Sequence, residues 1–168
     1  REAIFDGVDL SGKNLSESIF SNANFIDANL QNANLAGAHF VDVDLTKIKN
    51  KSLAGADFSY ASFAHSNLSG VNLDGTILHA TNFNKADLSG QDFTVTDSIT
   101  DGLTFIEANL SNSNFEGVNL SPKQIFFNIF ENKAHLNNLD HNLMVKNLFG
   151  DFTNIFLIST EVRGNDLA

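Results

Sequence analysis

Residues 21–40 read SNANFIDANLQNANLAGAHF, four units of five residues with Phe25, Leu30, Leu35 and Phe40 at matching positions. Two residues before each sits a small one: Ala23, Ala28, Ala33 and Ala38. A period of five is neither the 3.6 of an amphipathic helix nor the 2 of an ordinary strand. Self-similarity at a fixed short period is the mark of a stacked-repeat architecture.

Worked outward, the central apolar position falls at Phe5, Leu10, Leu15 and Phe20, through the quoted stretch, and on to Leu45. Three extra residues enter before the register resumes at Leu53 and runs to Phe93. The blurred stretch 94–104 adds two more, and the pattern returns at Phe105, Leu110, Phe115 and Leu120. All 22 central positions are Leu or Phe. The place two before the centre is small or β-branched in most units, with Lys13, Lys51 and Gln91 as departures that predict local faults in the inner wall. The remaining places are rich in Asn, Asp, Ser and Gly, residues suited to turns and a solvated exterior. Each unit therefore offers one large and one small inward side chain and then turns, so that four units close a square coil of twenty residues. Like residues twenty apart agree with this: Phe5 with Phe25, Phe20 with Phe40, Leu10 with Leu30 and Phe63 with Phe83. Coils stacked at about 4.8 Å give a cylinder of roughly 28 Å for about six coils. The Leu and Phe columns are its core.

Composition agrees. At 168 residues the chain can bury a sizeable core as one domain with a small appendage. Sixteen Phe against one Tyr and no Trp means that the aromatics serve as apolar bulk. The absence of Cys removes disulfides, thiolate metal sites and a cysteine nucleophile from this chain. A net charge of −10 argues against direct binding to nucleic acid or an anionic membrane surface. No apolar run reaches the length of a membrane span, and no signal peptide is visible.

These units resemble the pentapeptide-repeat family, whose repeats read A(D/N)LXX; LAGADFSYASF (53–63) and KADLSGQDF (85–93) match well. The resemblance covers residues 3–120 and implies an all-β solenoid, a right-handed quadrilateral β-helix. Residues 1–120 are thus expected to form the repeat domain. From Ser121 the pattern changes: Ser121-Pro122-Lys123-Gln124 is a helical capping box, and Ile125, Phe126, Ile129 and Phe130 follow at helical spacing. A second helix is expected from Asp140 to a stop at Gly150, while 151–160 fits a short helix or a strand. Residues 121–168 are therefore expected to be a small α-helical appendage: a cap over the end of the β-helix, a dimer surface, or the start of a following helical domain.

Catalytic signatures are missing. His39, His65, His79, His135 and His141 belong to no HExxH, and no phosphate loop or GxSxG elbow occurs. His39, His65 and His79 fall at outward positions on different parts of the coil, as surface histidines do. Asp42 and Asp44 flank the inward Val43 with no further ligand set. No catalytic residue, metal or cofactor is expected. The interruption TKIKNKS (46–52) places Lys47, Lys49 and Lys51 where the coil must bulge, three of only five basic residues between 5 and 120. Loops inserted in a rigid scaffold carry recognition, so these lysines are the candidate partner contacts.

Two functions are in view. An acidic repeat solenoid passing into a helical segment resembles, in arrangement, the repeat domain of type III-secreted bacterial HECT-like ubiquitin ligases (SopA and its relatives). That arrangement implies a non-catalytic protein-interaction module of a larger bacterial protein, recognising a host protein. It would act in the bacterial cytoplasm or, as a secreted effector, in the host cell. Lacking Cys, the chain would leave any ubiquitin ligase chemistry to a lobe outside it, and it is expected to be an excerpt of something longer. The alternative is the disguise used by some pentapeptide-repeat proteins, which resemble DNA in size and charge and bind DNA gyrase. Residues 5–120 carry 14 acidic and 5 basic groups, a net −9. Duplex DNA carries about one charge per 1.7 Å, or roughly 16 over such a rod. The acids, among them Asp6, Asp27, Asp57, Asp74, Asp87 and Asp92, are expected on all faces with no ladder along one side.

Overall fold

The computed structural model describes residues 2–96 and 103–114. The last two repeat centres, Phe115 and Leu120, and the expected helical appendage 121–168 lie outside the described residues.

The five-residue units wind into a β-helix solenoid. Consecutive levels are joined by isolated parallel bridges, because each side of the coil is too short for a longer strand. The bridges fall into four columns, called here walls one to four. Wall one runs through the bridged sets Ile4–Asn24 and Asp44–Asn67–Asp87–Asn109, and wall two through the bridged pairs Asp9–Asn29, Ser52–Asn72 and Asp92–Asn114. Wall three runs through Asn14, Asn34, Asp57 and Ile77, and wall four through Ile19, His39, Ser62, Asn82 and Thr104. Bridged residues are twenty apart in most places, as in Asp9 with Asn29. The separation is 23 across the first interruption (His39 with Ser62) and 22 across the second (Asn82 with Thr104). Both insertions are thus absorbed without loss of register.

Local chemistry makes the corners. The amide three residues beyond a central residue donates to that residue's carbonyl, as Val8 does to Phe5 at 3.0 Å and Ala61 to Phe58 at 2.9 Å. The third residue of most such turns has φ near +60°, including Glu17 (58°), Tyr60 (60°) and Lys85 (60°), as a type II turn demands. The residue before the centre braces the next corner. Asn34 Oδ1 accepts the Ala36 amide at 3.1 Å, and Asp57 Oδ1 accepts the Ser59 amide at 2.9 Å. This is why Asn and Asp recur at that place.

Every described central residue from Phe20 onward is buried, and Phe5, Leu10 and Leu15 of the first coil are half-buried against them. Burying each Leu or Phe contributes roughly 1.5–3 kcal/mol, most of it offset by ordering the chain. Inside wall four the rings form a continuous column. Phe20, Phe40, Phe63, Phe83 and Phe105 follow one another with centroids 5.0, 5.0, 5.4 and 5.7 Å apart.

The inner wall differs from expectation at two of its three departures. Lys51 does not occupy the inward place, because Ile48 does, 4% exposed, while Lys51 stands in solvent. Gln91 is buried but is no fault, since its Nε2 donates to the Leu68 carbonyl of the coil below. Ser66, Thr81 and Ser113 act alike, each hydroxyl donating to the carbonyl of a central residue one level down: Phe40, Phe58 and Leu88. Among the described residues no buried side-chain nitrogen or oxygen lacks a partner. Lys13, in the first coil, is exposed.

Candidate partner-binding surface

The three extra residues of the first interruption form a short kinked turn, Lys49–Lys51, on wall two. Ile48 and Lys49 complete the level below: the Lys49 amide donates to the Ala28 carbonyl at 2.9 Å. Lys51 and Ser52 begin the level above, with the Lys51 carbonyl accepting the Asn72 amide at 2.8 Å. The bridging duty of one unit is thus divided between two pairs of residues. Asn50 (φ 55°) and Lys51 (φ 47°) carry the chain between them in the left-handed region, which costs an L-residue roughly 1–2 kcal/mol.

The candidate lysines consequently share one side of the rod. Lys47 sits at the corner between walls one and two, its carbonyl accepting the Asp27 amide at 2.8 Å and its Nζ lying 3.6 Å from Asp44. Burial pushes the Asp44 carboxyl up, but the Thr46 hydroxyl and amide and then Lys47 outweigh it and hold it below the usual 3.8. Asp9, two levels beneath Lys49 on wall two, is also held low, first by the Ser11 hydroxyl and amide and to a lesser degree by Lys49. The lysines therefore stand among carboxylates.

The acids themselves are not spread over all faces. Asp6, Asp9, Asp27, Asp42, Asp44, Asp74, Asp87, Asp92 and Glu107 lie on walls one and two or at their corners, Asp57 lies on wall three, and Glu17 lies at the corner of walls three and four. The outward column of wall four, Ile19 to Thr104, holds no carboxylate. The described histidines are gathered rather than scattered: His39 is in the wall-four column, and His65 and His79 are at its two corners. None of them contributes to a metal site, and among the described residues no group of three His, Cys, Asp or Glu could hold an ion. Among the same residues, no helix is long and apolar enough to cross a membrane.

One pair escaped the sequence reading. Tyr60, 66% exposed, packs edge-on against His79 with centroids 4.9 Å apart, and its hydroxyl is 2.9 Å from His79 Nε2. The signal was available: Tyr60 follows Phe58 by two and His79 follows Leu78 by one, so a twenty-residue coil sets them at one corner.

A family model for a pentapeptide repeat region matches residues 1–78, and one for pentapeptide repeats in eight copies matches residues 98–121. The chain belongs to the pentapeptide-repeat family. Membership implies a right-handed winding for the solenoid. No curated protein matches the chain. Among solved structures it is similar to a pentapeptide repeat protein from the Arabidopsis thaliana thylakoid lumen, at 21% identity over 82% of this chain and 88% of that one, TM-score 0.33. It is also similar to HetL, involved in heterocyst differentiation regulation in Nostoc sp. strain PCC 7120, at 24% identity over 70% of each chain, TM-score 0.30. A third is a trypsin-treated variant of QnrB1, a plasmid-mediated fluoroquinolone resistance protein, at 18% identity over 80% of this chain and 79% of that one, TM-score 0.33.

Proposed function

We propose that this pentapeptide-repeat chain is a non-catalytic protein-interaction module, the repeat domain of a larger bacterial protein, which meets a protein partner through Lys47, Lys49 and Lys51. One observation supports this above the others. The solenoid keeps its register on either side of Lys49–Lys51, and this turn places lysines on an otherwise acidic side. A rigid scaffold bearing one irregular, charged turn is how recognition surfaces are commonly built. In this reading the rod is a quadrilateral of about six coils, and residues 121–168 form a helical cap or open the next domain. The partner is a host protein if the parent is a secreted effector of the ubiquitin-ligase kind. The test is to exchange all three lysines for Ser and compare partner recovery from bacterial and host extracts with that of the parent chain. Loss of one specific partner at an unchanged melting temperature supports the reading; identical recovery removes it.

The gathering of carboxylates on walls one and two and at their corners favours a second reading, an acidic rod that takes the place of DNA on gyrase. The lysines interrupt that band, which weighs against it. Gyrase supercoiling assayed with increasing amounts of the chain decides: no inhibition and no protection removes the mimic.

A further inference from the structure

The middle of wall four differs from the rest of the rod. Residues 58–66 and 77–86 contain no Asp or Glu, and they bring Tyr60, Ser62, His65, His79, Asn82 and Lys85 to one stretch of wall and its corners. Carboxylates return only at its margins, with Asp57 and Asp87 on the adjoining walls, Glu17 and Asp42 at lower corners and Glu107 above, 3.7 Å from Lys85. Tyr60 stands out from this carboxylate-free strip, and His79 holds its ring from the side and its hydroxyl at the tip. An exposed tyrosine whose rotamer is already fixed loses little entropy on contact and makes an effective anchor.

We propose that this strip is where a second copy of the chain docks, wall four against wall four. Charge selects the occupant. Each copy carries −10, so two copies approaching by any other side oppose carboxylates, whereas this arrangement turns both acidic bands outward. A basic partner would settle on walls one and two instead. The strip spans only two to three levels, short of the roughly 800 Å² per partner of a stable interface, so the dimer is weak and forms at high protein concentration. Salt strengthens it, because screening relieves the repulsion between the two copies and no ion pair holds them.

Sedimentation velocity of the full chain, over a wide concentration range at low and high salt, tests this. The expected result is a monomer–dimer equilibrium that shifts toward dimer with concentration and with salt. Ser62→Glu and Tyr60→Asn each lower the association constant about tenfold or more. Ile26→Ser, an exposed and uncharged position at the corner of walls one and two, leaves it unchanged. A monomer at every concentration overturns the proposal, as does a dimer that salt weakens or that survives both substitutions. Either variant can be checked for folding by its melting temperature, and the two act by different means.

Discussion

Phe40 and Phe63 are 23 residues apart in the chain and stack with centroids 5.0 Å apart and planes 12° from parallel. Their separation exceeds the coil by three, and the three residues are those of the Lys49–Lys51 turn. The ring column thus passes the interruption unbroken. Phe63, fully buried with a ring below and another above, is predicted to be a keystone. Phe63→Ala should cost about 3–5 kcal/mol and Phe63→Leu about 1 kcal/mol, as measured by chemical denaturation. A cost for Phe63→Leu as large as that of Phe63→Ala would show that the column requires the stacked ring itself and not only its apolar volume.

Deleting Lys49, Asn50 and Lys51 joins Ile48 directly to Ser52-Leu53 and restores a spacing of five from Leu45 to Leu53. Ile48 keeps its buried place, and Ser52 can serve both the level below and the level above. The deletion is predicted to leave the melting temperature unchanged or raised, since two left-handed residues are removed. Loss of cooperative unfolding would show that the turn is structurally required.

Gly55 occupies a corner at φ +72°, where a Cβ would meet Asn32 Oδ1 at 2.2 Å. Gly55→Ala adds left-handed strain and displaces Asn32, for a predicted loss of about 1–3 kcal/mol. Gly70→Ala meets nothing within 4 Å and serves as the control, paying the backbone term alone. The two variants should therefore differ in thermal stability, with Gly55→Ala the lower.

Ser66 accepts the Val43 amide at 3.0 Å and donates to the Phe40 carbonyl, filling a turn that does not close on itself. Ser66→Ala leaves both buried groups unpaired and should cost about 1–3 kcal/mol. Val71→Ala, at an apolar inward place of the same coil, creates no unpaired group. Slower amide exchange at Val43 in Ser66→Ala than in the parent would contradict the assignment.

Acid should unfold the rod late. Asp9 and Asp44 have carboxyls held below 3.8 in the fold, so their contribution is fully present above that value. It is lost as pH falls through the lower folded-state value, where the unfolded chain binds more protons. Stability is predicted to be flat with respect to these two groups down to pH 3.8 and to decline below it. Asp44→Asn should remove part of that acid sensitivity while keeping the Thr46 contacts, as judged from melting temperature against pH.

The inward places were legible because they obey one rule that admits little variety: a Leu or Phe every fifth residue, preceded by a small side chain. The full Phe column was not, since Phe40 to Phe63 and Phe83 to Phe105 are separated by 23 and 22 residues and match only when each insertion is added to the coil. Lys51 was placed inward by counting back from Leu53, whereas burial favours the apolar Ile48, so the chain adds its extra residues after that position. The distribution of Asp and His over the walls was misread for the same reason: which wall a residue faces depends on where the insertions fall. Recognition chemistry has no such rule, and Lys47, Lys49 and Lys51 stood out only through composition.

The divided duty at Ile48–Ser52 has a mechanical consequence. When a square rod bends, the side on the outside of the curve must stretch while the opposite side is compressed. On wall two, however, the bond reaching down belongs to Lys49 and those reaching up belong to Lys51 and Leu53, with a turn between them. That corner can open like a hinge while its neighbours hold, so anything gripping the lysines would hold the cylinder where it yields.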